Sequence, residues 1–202
     1  MRNARPRTEG FAIAPAWRWV NNEGVRYVAL LRGINVGGKN IVKMSDLRSA
    51  FEGVNCTNIA TYIQSGNVLF ESRLQNTSRL SFAIEEALTA AFACTVPVVI
   101  VAQGQLENVV QNAPAAFGAD PAQYRYDVAF LKAPLRAGAI LPTISLKTGV
   151  DEAWERNEVL YFRRLTTRAS QSHLPRLTRH AAYSSMTIRN WNTVCELHRL
   201  IR

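Results

Sequence analysis

Hydrophobic positions recur along this chain at two spacings, and each change of spacing marks a boundary. Residues 25–31 form an apolar, β-rich run that predicts a strand. Leu47 and Phe51, four apart, predict a short helix over 45–51. Residues 59–64 alternate, with Ile59, Thr61 and Ile63 on one side and Ala60, Tyr62 and Gln64 on the other. The tight-turn signal Ser65-Gly66-Asn67 and a returning strand over 68–71 follow. Asn76 or Thr77 caps a helix reaching about Ala93, with Leu80, Ile84, Ala87, Leu88 and Ala91 on its core face. An apolar strand over 96–101 completes the order β-α-β-β-α-β, which fits a ferredoxin-like plait.

The second half is less regular. It predicts a helix over 103–111, strands over 126–132 and 158–164, and a weak strand over 144–147. Pro134, Gly138 and Pro142 mark turns, 149–157 reads as a polar turn region containing Trp154, and helical stretches cover 170–181 and 188–202. The expected class is α+β with two ferredoxin-like (α-β plait) units. Residues 1–24 form an N-terminal extension, 25–103 the first unit with a glycine-rich loop, and 104–202 a second plait-like unit with basic C-terminal helices.

Composition is ordinary for a globular chain of 202 residues, at 48% hydrophobic and 19% charged. No apolar run is long enough to span a bilayer, so no membrane partner is expected. Cys56, Cys94 and Cys195 make no C-x-x-C pair or zinc spacing and read as reduced thiols of a cytoplasmic protein. No cofactor or metal is called for; His173 and His180, seven apart with Pro175 between, are poorly spaced for zinc. The net charge of +9 is polarised: residues 163–202 hold eight Arg against one Glu, and all three His. Such a segment attracts anions, or is a solvated basic face.

Three motifs hold the candidate chemistry. In RGINVGGKN, Gly33 to Lys39 fits the phosphate-loop spacing G-x-x-x-x-G-K, but Asn40 stands where a Mg²⁺-binding hydroxyl belongs. Ile41-Val42-Lys43 also delay the helix that should open at the lysine, so the nucleotide-hydrolase reading falls away. A weaker anion site survives, with backbone N–H groups of Gly37 and Gly38, the cations Arg32 and Lys39, and the amides of Asn35 and Asn40.

In TYIQSGNVLF, Gln64, Ser65 and Asn67 are secondary candidates, with a plain hairpin as the alternative. This turn is expected at the opposite end of the sheet from the glycine loop, roughly 20 Å away. In MTIRNWNTV, Thr187 is the expected N-cap of a helix from 188, directing Arg189 and Asn192 to solvent and setting Asn190 and His198 in an apolar arc; Arg189, Asn190 and Asn192 are ligand-binding candidates and His198 a secondary one. With Arg163, Arg164, Arg168, Arg176 and Arg179, Arg189 completes the best basic surface.

These three motifs, in this order and spacing from about Tyr27 to the C-terminus, resemble the bacterial family called domain of unknown function 1697. The resemblance implies a pair of α-β plait domains in a bacterial, cytoplasmic protein, and no activity. Function rests on the residues. The leading expectation is a binding protein for an anionic, phosphate-bearing small molecule or nucleic acid, using the glycine loop and C-terminal arginines, with a plait sheet offering Tyr62 and Phe70 for stacking. An enzyme acting on an anionic metabolite, with Asp127 or Glu158 folded toward the loop, and a protein-interaction module stay open. Oligomeric state is not legible.

Overall fold

A computed structural model describes residues 24–35, 42–63 and 66–202. The 1–23 part of the expected extension, Gly37, Gly38, Lys39, Asn40, Gln64 and Ser65 lie outside the described residues. Strands β1 (Val25–Leu31), β2 (Thr57–Tyr62), β3 (Asn67–Ser72) and β4 (Val98–Ala102) form one antiparallel sheet in the order β2-β3-β1-β4. Helices α1 (Met44–Glu52) and α2 (Thr77–Phe92) connect them. The Asn76 side chain caps α2 by accepting from the Arg79 N–H at 2.9 Å, and Ala93 ends it in the left-handed region at φ 51°.

Helix α3 (Gln103–Gln111) leads to β5 (Tyr124–Leu131), followed by the short α4 (Ala137–Ile140), β6 (Asp151–Arg156), β7 (Val159–Leu165), β8 (Met186–Asn190) and α5 (Trp191–Ile201). These strands make a second four-stranded antiparallel sheet, β6-β7-β5-β8. The molecule is therefore α+β.

Besides the helix expected from 188, which is strand as far as Asn190, three expectations for the second half fail. Residues 149–157 are no turn: Asp151–Arg156 is edge strand β6, whose charged residues obscure its alternation. Residues 144–147 form no strand. The stretch 170–181 is a chain of 3₁₀ turns, with a proline in the first turn of Leu174–Arg179 and no apolar stripe of 3.6-residue period.

Alternation along β1 sends neighbouring residues to different cores. Tyr27, Ala29 and Leu31 pack under α1 and α2 with Phe51, Phe70, Ile84 and Leu88. Val28 and Leu30 face the other way, joining Leu106 and Val109 of α3, Val194, Leu197 and Ile201 of α5, and Val128 and Tyr161 of the second sheet. The two sheets thus share one core, with α3 and α5 in it, and the face expected to offer stacking is closed. Phe70 is fully buried, and Tyr62 is half-buried against the shared core. The outer face of the second sheet holds a third core, where Ala129, Leu160 and Phe162 meet Leu177 and Ala182. Among the described residues, no helix is long and apolar enough to cross a membrane.

Candidate functional site

The glycine-rich segment and the hairpin turn lie at the same end of the first sheet, contrary to expectation. Strands β1 and β2 are each antiparallel to β3, so they run parallel to one another and finish at one edge. Leu30 lies opposite Asn67, and the Leu31 N–H donates to the Gly66 carbonyl at 2.7 Å. Gly66, at φ 86°, is needed here, since a Cβ would sit 2.9 Å from the Leu31 carbonyl oxygen.

The third motif meets this edge through Arg189. Residues 186–190 are strand, not helix, so Thr187 caps nothing and Arg189 points inward rather than to solvent. Its Nε donates to Asn67 Oδ1 at 2.6 Å. Nη1 donates to Thr187 Oγ1 at 2.7 Å and the Ile188 carbonyl at 3.0 Å. Nη2 reaches the Leu31 carbonyl at 2.7 Å and that of Gly66 at 3.2 Å. All these acceptors are neutral, and no carboxylate pairs with Arg189 among the described residues. Burial pushes its pKa down to about 10, so the guanidinium is charged at neutral pH. Arg189 is thus a latch between the glycine segment, the turn and the second sheet.

Helix α5 starts at Trp191 because Asn190 is the true N-cap: its Oδ1 accepts from the Asn192 N–H at 3.1 Å, while its Nδ2 donates to the Tyr126 carbonyl at 3.0 Å. Asn190 therefore leaves the apolar arc assigned to it, and exposed Asn192 supplies a backbone donor. His198 is half-buried on α5, and its Nε2 has no hydrogen-bond partner among the described residues.

The ends of the glycine loop are well defined. Asn35, left-handed at φ 53°, accepts from the Val42 N–H at 2.8 Å and donates to its carbonyl at 3.3 Å. One side chain thus closes the neck of the 36–41 segment. Half-buried Arg32 stacks on the Tyr183 ring at 4.0 Å and donates to the Tyr183 carbonyl. Tyr183 lies 151 residues away, and no pattern in the sequence announces that contact.

The basic surface divides. Arg163 pairs with Glu152 at 2.5 Å and stacks on Tyr124 at 4.5 Å. Arg168 donates to Gln171 Oε1 at 2.7 Å. The exposed guanidiniums of Arg176 and Arg179 have no partner among the described residues. Asp127 and Glu158 pair with Arg125 and Arg136, each at 3.3 Å, and burial holds the Asp127 carboxyl above the usual range.

No curated protein matches the chain. Among solved structures it is similar to a conserved bacterial protein, SP0830 of Streptococcus pneumoniae, with 25% identity and a TM-score of 0.77. That match covers 88% of this chain and 99% of the other. The family model described as "Protein of unknown function (DUF1697)" matches residues 25–161, which include the glycine segment and the turn but not the 186–194 motif. By this match over more than half its length, the chain belongs to the DUF1697 family of proteins of unknown function.

Proposed function

We propose that this protein binds an anionic, phosphate-bearing ligand at the edge where the glycine segment, the hairpin turn and β8 converge. The observation that carries this reading is Arg189: a largely buried cation, held by neutral acceptors and without a carboxylate partner among the described residues, lies at the sheet end where the glycine-rich segment leaves β1. Arg32 adds a second cation beside that neck. In this reading Arg189 anchors, and ligand contact falls to Arg32, Lys39, Asn40 and the backbone of Gly37 and Gly38. A small phosphate compound is favoured over a nucleic-acid strand, because the first sheet's two faces are covered. We also read each sheet with its covering layer as a ferredoxin-like plait, divided near residue 103. The identical strand permutations, β2-β3-β1-β4 and β6-β7-β5-β8, support that.

Calorimetric titration with ATP as a polyphosphate probe tests the ligand class. Affinity should fall steeply as salt rises, since the attraction is electrostatic. Arg32→Ala and Lys39→Ala should each weaken binding by roughly ten-fold through loss of a charge-assisted contact. Unchanged affinity in the double variant would sink the reading.

A further inference from the structure

We infer a second site, for the terminal phosphate of a phosphomonoester, in the pocket formed by Thr143, Ser145, His173, Arg176, Arg179 and His180. It lies in the layer over the outer face of the second sheet, where Leu177 packs on that sheet, whereas Arg189 lies on the inner side. The local backbone explains the grouping. A 3₁₀ turn has three residues per turn, so His173, Arg176 and Arg179 align on one face of the 174–179 segment.

The floor of the pocket is fixed by buried bonds. Asp151, itself buried, accepts from Ser172 Oγ at 2.6 Å and from the N–H groups of His173 at 2.7 Å and Lys147 at 3.0 Å. The carboxylate nearest the floor is therefore committed to holding it. His180 Nδ1 accepts from the Ala182 N–H at 3.1 Å, which leaves the ring proton on Nε2 for Thr143 Oγ1 at 3.0 Å. Thr143 passes its own proton to the Ile140 carbonyl at 2.6 Å. His180 and Thr143 thus brace the wall. His173 Nδ1 lies 2.9 Å from Ser145 Oγ, and Nε2 has no partner among the described residues.

The pocket thus combines two guanidiniums with no carboxylate partner, a half-engaged imidazole and a serine hydroxyl, and no acid lines it among the described residues. Forked guanidinium donors match the oxygens of a phosphate group. At about 230 Å³ the pocket is below the roughly 300–1,000 Å³ typical of sites for drug-sized ligands, so it suits a small phosphomonoester rather than a nucleotide.

Amide-resolved NMR of the full chain, titrated with glycerol 3-phosphate and separately with inorganic phosphate at fixed ionic strength, tests this. Both probes should give saturable shifts at residues 143–145 and 173–180, with the ester binding at least as tightly. Arg176→Ala combined with Arg179→Ala should weaken ester binding by at least about five-fold. Both side chains are exposed, so thermal unfolding should be unchanged. Absence of saturable shifts in the pocket overturns the proposal. So does a smaller effect of the double substitution, or tighter binding of inorganic phosphate than of the ester.

Discussion

The two sheets share one strand permutation and are covered in different ways. Over the outer face of the first lie α1 and α2, two regular helices whose backbone groups bond within themselves. Over that of the second lie α4 and successive 3₁₀ turns, and these leave polar backbone groups that side chains must satisfy. Asp151, Ser172 and His180 do so. In the layer of short turns, the pocket at Thr143, His173 and His180 is lined by side chains that also hold the turns. Arginines follow the same division. Arg189 lies on the inner side with every donor group engaged by protein acceptors, and Arg176 and Arg179 lie in the outer layer with none engaged among the described residues.

Exchanging arginine for alanine on the two sides should separate them most. Arg189→Ala strands the Leu31 carbonyl at the packed edge, at about 1–3 kcal/mol for a group left unsatisfied, and takes a charged donor from Asn67 Oδ1 and from the Gly66 carbonyl, which keeps the Leu31 N–H. Urea denaturation should show a loss of about 4 kcal/mol, from that carbonyl together with the charge-assisted bonds lost to Asn67, Gly66, Thr187 and Ile188, partly relieved by water. Arg176→Ala, at an exposed position without partners, should stay within about 0.5 kcal/mol of wild type. Similar losses at both positions would remove the distinction between latch and ligand group.

Glycines at one edge give the next contrast. Gly66→Ala combines a positive φ of 86° with a Cβ 2.9 Å from the Leu31 oxygen, and should cost about 2–3 kcal/mol. Gly33 has a similar φ of 78° but no atom of the described residues within 4 Å of an added Cβ, so Gly33→Ala should cost only about 1 kcal/mol. Equal thermal shifts would mean that close packing of the turn on β1 contributes nothing.

Third in size, Asp151→Asn tests the outer layer. An amide keeps one acceptor oxygen but turns an NH₂ toward groups that themselves donate, for a loss of about 2 kcal/mol. The readout is amide hydrogen exchange at His173 and Lys147, which should rise above the wild-type rate once their shared acceptor is weakened. Unaltered exchange at both would show that the carboxylate does not hold the floor.

Much of the first sheet is legible in the sequence because its elements are long and strictly periodic: β1 falls at 25–31 and the Asn76 cap opens α2. The second half resists reading where polarity or proline breaks the period, as in Asp151–Arg156 and Leu174–Arg179. The candidate site is legible as three motifs but not as one place. The meeting of the first two follows from β1 and β2 running parallel on either side of β3, which the β-α-β-β order already implies, whereas the third joins them only through Arg189 of the second sheet. Helical periodicity misplaces Arg189 when it is extended back past Asn190, an N-cap residue type that signals where a helix starts. The alignment of His173, Arg176 and Arg179 needs a period of three, which a search at 3.6 passes over.

The last contrast concerns the contact that joins the two sheets at their rim. Lys132, just beyond β5, reaches Glu85 of α2 at 2.5 Å, with side chains 34% and 18% exposed. Partial hydration screens such a pair, and ordering two long side chains offsets the gain, so Lys132→Met should cost less than about 1 kcal/mol. Glu85 keeps a partner in that variant, because its Oε1 also accepts from the Val98 N–H at 2.8 Å. Glu85→Ala removes both contacts and leaves the Val98 N–H without its acceptor, so it should cost more than Lys132→Met. Raising salt should narrow the gap between wild type and Lys132→Met while leaving the loss in Arg189→Ala nearly unchanged, since a largely buried guanidinium is screened far less than a rim pair. A Lys132→Met loss as large as that of Arg189→Ala would move the main link between the sheets from the inner latch to the rim.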